Sequence, residues 1–162
     1  MNTPNIALVR IDNRMLHGQI AITWSHHAGG NLILVANDSA SEDPVRQNLM
    51  DMAAPPGMAT RYFSIQKTID VIHKASPAQK IVMVVENPQD VLRMVKGGVP
   101  IKEVNVGNMH FSEGKKQIHK TVSVNQNDID TFRELTELGV VCTIQRMPEE
   151  EKIEIMSAVN EG

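Results

Sequence analysis

The sequence predicts an α/β protein: three layers, with a mostly parallel central sheet of about seven strands and helices on both of its faces. Three observations lead there. Seven short β-branched or apolar runs recur along the 162 residues. Several of them are apolar almost throughout, as strands covered on both faces are. Most are separated by segments with helical spacing and helix-end signals, the alternation that builds parallel βαβ units.

The first run is Ile6-Ala7-Leu8-Val9-Arg10-Ile11, and a helix is expected after it from Gln19 to His27, opening near His17. The second, over 32–36, is apolar throughout. Ser41-Glu42-Asp43-Pro44 then supplies a capping residue and a first-turn proline for a helix over 45–52. A third run covers 60–64 and a fourth 81–85. Asn87-Pro88-Gln89-Asp90 repeats the capping logic, and Gly97-Gly98 stops the helix it starts. After the fifth run, 104–106, residues 107–121 break the rhythm. They are polar, punctuated by glycines and short for a crossover, so the chain is expected to enter an antiparallel strand at 121–124. Asn127-Asp128 begins a helix over 129–138, Gly139 ends it, and 140–144 is the last strand. With no repeat, linker or low-complexity tract, residues 1–162 read as one domain.

Composition narrows the function. Hydrophobic residues at 41% and charged ones at 22% suit a globular chain. A net charge of −3 gives no electrostatic reason to expect nucleic acid. Met1-Asn2-Thr3-Pro4-Asn5 lacks the basic start and apolar stretch of a leader, and no apolar run reaches the ~18 residues of a membrane span. A soluble, cytoplasmic protein is expected. The single cysteine, Cys142, makes neither an internal disulfide nor a cysteine metal site, and its apolar surroundings in sequence predict a packed thiol.

In open α/β sheets ligands bind beyond the carboxyl ends of the strands. Of the segments there, Asp12 to Gln19 is the informative one. Between Arg10 and His17 the chain gathers two arginines, an aspartate and a histidine. A neutral imidazole is a nucleophile near physiological pH, and a phosphoryl group on it adds roughly two negative charges. Arginine's planar fork suits phosphate oxygens, a helix start offers free N–H groups, and Gly18 allows close approach of a phosphate or partner. Asp12 orients either the ring or an arginine. The competing interpretation is a surface ion-pair network beside a satisfied histidine. Asn37 and Asp38 after the second strand, and His110 after the fifth, are candidates to line the same crevice. His26, His27, His73 and His119 read as solvated, and Trp24 as a core or interface anchor.

The run Arg10-Ile11-Asp12-Asn13-Arg14-Met15-Leu16-His17-Gly18-Gln19 resembles the active-site segment of the IIB components of mannose-family sugar phosphotransferase systems, Arg-x-Asp-x-Arg-Leu-x-His-Gly-Gln. Met15 stands where leucine is usual. The likeness continues through Val35-Ala36-Asn37-Asp38, Asp43-Pro44, Lys96-Gly97-Gly98-Val99-Pro100 and Asn105 to His110, and these later segments look most like the N-acetylgalactosamine/galactosamine branch. The resemblance implies a seven-stranded sheet and a phosphocarrier without cofactor or metal. It implies that His17 takes a phosphoryl group from a IIA component and passes it to a sugar held by the membrane IIC and IID components. Arg14 is then the phosphate clamp, with Arg10, Asp12 and Gly18 in support. The chain would associate peripherally with the transporter, its His17 loop exposed on a flat or convex surface; a homo-oligomer is compatible with all of this. Two other classes compete. One is a non-catalytic module of the same fold that binds a phosphosugar or nucleotide, against which no G-x-G-x-x-G loop follows a strand. The other is a serine hydrolase using Ser39 or Ser64, for which no G-x-S-x-G elbow exists.

Overall fold

The structure, a computed structural model, describes residues 3–161. Met1 and Asn2, which enter the reading of the leader, and Gly162, the last residue of the expected domain, lie outside the described residues. Among the described residues the elements run β1 (Asn5–Asp12), α1 (Gly18–Ala28), β2 (Leu32–Ala36), α2 (Pro44–Ala53), β3 (Ala59–Phe63) and α3 (Ile65–Val71). They continue with β4 (Lys80–Val85), α4 (Pro88–Lys96), β5 (Glu103–Asn108), β6 (Lys116–His119), β7 (Val122–Val124), α5 (Gln126–Glu137), β8 (Val141–Ile144), β9 (Ile153–Glu154) and α6 (Ile155–Glu161).

Seven strands form the main sheet in the order β3-β2-β4-β1-β5-β8-β9. All neighbours pair in parallel except β8 with β9. The alternation of side chains along each strand divides the core in two. Ile33 and Val35 of β2 and Val82 and Val84 of β4 face Met15, Leu16, Ala21 and Met50 on the α1–α2 side. Leu32, Leu34, Ile81 and Met83 face the opposite layer, filled by Val91 and Met94 of α4, Phe132 and Leu135 of α5 and Ile155 of α6. Both faces of the central strands are therefore dry, which is why their sequences are apolar throughout.

The expected seven-strand count holds, but its membership changes. The run at 121–124 is β7, paired with β6 in a separate antiparallel hairpin. The seventh strand of the sheet is β9, a two-residue piece between Lys152 and α6 that carries no readable periodicity. The expected antiparallel turn after β5 is present, and it begins earlier, at Lys116. α5 starts three residues before the expected 129, at Gln126: Asn125 caps it, accepting from the backbone of Asp128 while the Asp128 carboxylate accepts from the backbone of Asn125. No helix among the described residues is long and apolar enough to cross a membrane.

Candidate functional site

β1 lies between β4 and β5. The helix that follows β1 packs on one face, whereas those that follow β4 and β5 pack on the other. Neighbouring strands whose connections leave on opposite faces open a crevice at their carboxyl ends. The loop from Asp12 to His17 occupies that place.

The loop is a tight turn. The Met15 amide donates to the Asp12 carbonyl at 2.9 Å, and the Asn13 amide to the Asn108 carbonyl at 3.1 Å. Asn108 Nδ2 also donates to Asn13 Oδ1 at 2.6 Å, so the ends of β1 and β5 are stitched together twice. Met15 holds a left-handed backbone, φ 62°, that a non-glycine residue adopts at some cost. Burial over-determines it, because Met15 and Leu16 plug the core beneath α1. With the two residues before it pinned, His17 is delivered to the N-cap position of α1 in an extended conformation, φ −154° and ψ 141°. Its side chain caps nothing. The ring is half-buried: Nδ1 lies 3.4 Å from the Met15 carbonyl, and Nε2 is shielded with no hydrogen-bond partner among the described residues. Arg14, Gly18 and Gln19 around it are exposed. The ring is thus recessed further than expected while its rim is open.

Beneath the loop lies a charged stack. Asp12 is 1% exposed. Its Oδ1 accepts from the backbone amide and Nε of Arg14 at 3.0 and 3.1 Å, and its Oδ2 from Arg14 Nη2 at 3.1 Å, a two-pronged fork. On the inner side Arg10 Nη2 stands 3.5 Å from Asp12 Oδ2. Arg10 itself is buried, with Nη1 donating to Asn105 Oδ1 and, at 3.2 Å, to the Gln145 carbonyl. Its guanidinium carbon lies 5.1 Å from the centre of the Trp24 ring, and Trp24 Nε1 donates to the Arg146 carbonyl at 2.9 Å. Gly107 closes the far side, where a Cβ would strike the guanidinium. Burial pushes the Arg10 pKa down to about 10 against the pull of Asp12, leaving the group charged at neutral pH.

The structure therefore joins Arg10, Asp12 and Arg14 into one stack within the loop that ends at His17, with Arg10 inside it rather than on the surface; the one contact of the His17 ring among those described is to the Met15 carbonyl. Asn37, Asp38 and His110 stand at the same end of the sheet without a contact to His17 among those described. Asn37 is buried, donating to Glu86 Oε2 at 3.1 Å and accepting from the Ala40 amide at 2.8 Å. Asp38 accepts from the Ile65 amide at 2.8 Å and pairs with Arg93 at 3.1 Å. His110 is exposed, two residues beyond the stitch at Asn108. Sequence reasoning missed Asn105, Gly107 and Gln145 as the frame around Arg10. A glycine inside a strand signals close approach of another group, and Gly107 carried that signal.

The family model that matches the chain, over residues 6–162, is that of the sorbose subfamily IIB component of the phosphotransferase system. The N-acetylgalactosamine-specific phosphotransferase enzyme IIB component 2 of Escherichia coli K12 is 51% identical over 152 residues, 94% of this chain and 97% of that protein. The crystal structure of the N-acetylgalactosamine-specific IIB component 1 from Escherichia coli superposes with a TM-score of 0.90 at 46% identity, covering 93% of this chain and 99% of that one. A more distant relative, the mannose-specific EIIAB component of Escherichia coli K12, is 35% identical over 156 residues, 96% of this chain and 48% of that protein.

Proposed function

Because the chain belongs to the sorbose subfamily of IIB components of sugar phosphotransferase systems, we propose that His17 is the side chain that carries the phosphoryl group. The chain is a sugar phosphotransferase, and what is proposed is which atoms do the work and for whom. The observation that carries the reading is the constellation itself. A half-buried imidazole sits at a helix start on the sheet's carboxyl edge, three residues from an exposed arginine whose fork a buried carboxylate holds.

The donor is a phosphohistidine of a IIA component, a reading supported by the relative whose name joins A and B in one protein. An unprotonated ring nitrogen of His17 places its lone pair on phosphorus. The P–N bond to the donor ring breaks, and its electron pair returns to the donor nitrogen. One P–N bond replaces another, so the step is nearly balanced and is governed by alignment and charge rather than by driving force. In the second step a sugar hydroxyl forms a P–O bond, the P–N bond to His17 breaks, and the hydroxyl proton leaves to the freed imidazole or to water. The acceptor is a sugar presented by IIC and IID membrane components, beside which this chain works at the cytoplasmic surface. Two relatives specific for N-acetylgalactosamine support an amino sugar of that kind. Arg14 is the phosphate clamp, and neither step needs a metal or cofactor.

Incubation with phosphoenolpyruvate, the general phosphotransferase proteins and a matching IIA is expected to give an acid-labile, base-stable label on wild-type protein and none on His17→Gln. Equal labelling of the two would overturn the assignment. Tight binding of a phosphosugar without any covalent label would favour a regulatory module instead.

A further inference from the structure

We propose that Arg10 is a positioning residue that takes over Asp12 when Arg14 turns to the phosphoryl group on His17. The inference rests on the reading of His17 as carrier, and it concerns what happens beneath the phosphate.

The two arginines differ in every respect that matters for such an exchange. The Arg14 side chain is 39% exposed and that of Arg10 is 4% exposed. Arg14 sits on the solvent side of Asp12 and can swing; Arg10 is held between Trp24, Gly107 and the Gln145 carbonyl and cannot reach a phosphate outside. In the structure Arg14 makes the close, forked contact to Asp12, while Arg10 stands off at 3.5 Å.

A phosphoryl group brings roughly two negative charges against the single one of Asp12, so it competes for the Arg14 fork. If Arg14 leaves, Asp12 keeps only the backbone amide of Arg14 as a close donor among the described residues. A carboxylate with a side chain only 2% exposed resists losing its cation. Arg10 has the spare capacity to prevent that. A guanidinium carries five N–H donors. Nη1 is committed to Asn105 and Gln145, whereas Nε and Nη2 are shielded from solvent and have no hydrogen-bond partner among the described residues. Two shielded donor atoms without acceptors are unusual in a native core. One of them, Nη2, faces Asp12 Oδ2 at 3.5 Å, a little over half an ångström beyond the roughly 2.7–2.9 Å of a charge-assisted bond. A small shift of the carboxylate closes that gap. The buried pair then holds the charge that Arg14 gives up, and the clamp is released at little loss.

The test follows the side-chain signals of Arg10 and Arg14 by NMR in wild-type protein, before and after phosphorylation through IIA. Both sets are expected to move on phosphorylation, and in Asp12→Asn those of Arg10 are expected to stay still. A wild-type protein labelled on His17 whose Arg10 signals do not move overturns this proposal alone; a protein without label on His17 overturns it together with the reading it rests on. A kinetic arm adds Arg10→Gln, expected to lower the maximal rate of phosphoryl acceptance by roughly ten-fold or more at an unchanged KM for phospho-IIA. Adding Asp12→Asn to that variant frees Arg14 and is expected to restore part of the rate, whereas a merely structural role for Arg10 predicts a further fall, which would sink the proposal. Should Arg10→Gln not fold, the wild-type NMR arm decides.

Discussion

Asp12 carries a negative charge with almost no water on it, and its two arginines divide the labour around it. Arg14→Gln removes the charged fork, and loss of one placed donor at a developing charge typically costs about 10²–10³ in rate. Phosphoryl acceptance is expected to fall by that order, with Arg14→Lys intermediate because an ammonium keeps the charge and loses the fork; quench-flow labelling at saturating IIA would measure both. Gly107→Ala acts from the other side of the stack. The added methyl meets the Arg10 guanidinium, which has Trp24 5.1 Å away and is tied to the Gln145 carbonyl. Overpacking of this kind costs about 1–3 kcal/mol, read as a lower urea midpoint, and an unchanged midpoint would mean that Arg10 does not lie where it is described. How much of this was legible beforehand follows from chain distance. Arg10, Asp12, Arg14 and His17 were readable because they crowd into eight consecutive positions. Asn105, Gly107 and Gln145 were not, since only strand pairing carries them to Arg10, across 95 to 135 residues. That Arg10 points inward was hidden for the same reason: alternation says which face a strand residue takes, and what covers that face depends on α1.

Elements with strong local signals were legible almost to the residue. Pro44 after the Asp43 cap, Pro88 after the Asn87 cap and the glycines behind α4 all mark helix ends where they are found. The fully apolar strands β2 and β4 announced a sheet covered on both faces. Elements whose stability comes from tertiary partners left no such mark. β9 is two residues long and exists only because β8 offers an edge. α5 was expected to start late because Asn127 and Asp128 also resemble a cap, while the working pair is Asn125 with Asp128. That capping box is testable. Asn125→Ala removes the acceptor for the Asp128 amide and is expected to cost about 1 kcal/mol, a fall in Tm of roughly 2–4 °C for a chain of this size, with m-value unchanged. Asp128 also accepts from Gln89 Nε2 at 2.9 Å and pairs with Lys115 at 3.7 Å, so the cap locks α4, α5 and the loop after β5 together. On β8, Cys142 behaves as the sequence suggested. Burial pushes its thiol up to about 12 and it is 1% exposed, so native protein is expected to resist thiol reagents until denaturant is added.

At the scale of the whole molecule, stability should depend on pH through a group outside the His17 loop. Asp90 lies in the first turn of α4, half-buried beside Asp38, Glu86 and Arg93, where the ends of β2 and β4 converge. Burial first, and then the charge of Asp38, raises its pKa from 3.8 to about 6; Arg93 acts in the opposite direction and Glu86 adds to the rise. Its folded pKa therefore exceeds its unfolded one, and between those values the folded protein holds a proton that the unfolded chain has released. Stability contributed by that proton is complete below the unfolded pKa and is lost as pH rises through about 6. At neutral pH the ionised carboxylate is a liability. The shift corresponds to roughly 3 kcal/mol at face value, and a side chain still partly in water leaves about 1–2 kcal/mol of it. Asp90→Asn keeps the shape and removes the charge. It is expected to melt several degrees above wild type near pH 7.5, with the two curves converging toward pH 4. Two features oppose this outcome and make the comparison decisive: the positive end of α4, which favours an anion in its first turn, and Arg93 at 3.8 Å. If the asparagine variant melts below wild type near pH 7.5, those two attractions outweigh burial, and Asp90 is a charged anchor of α4 instead of a strained one.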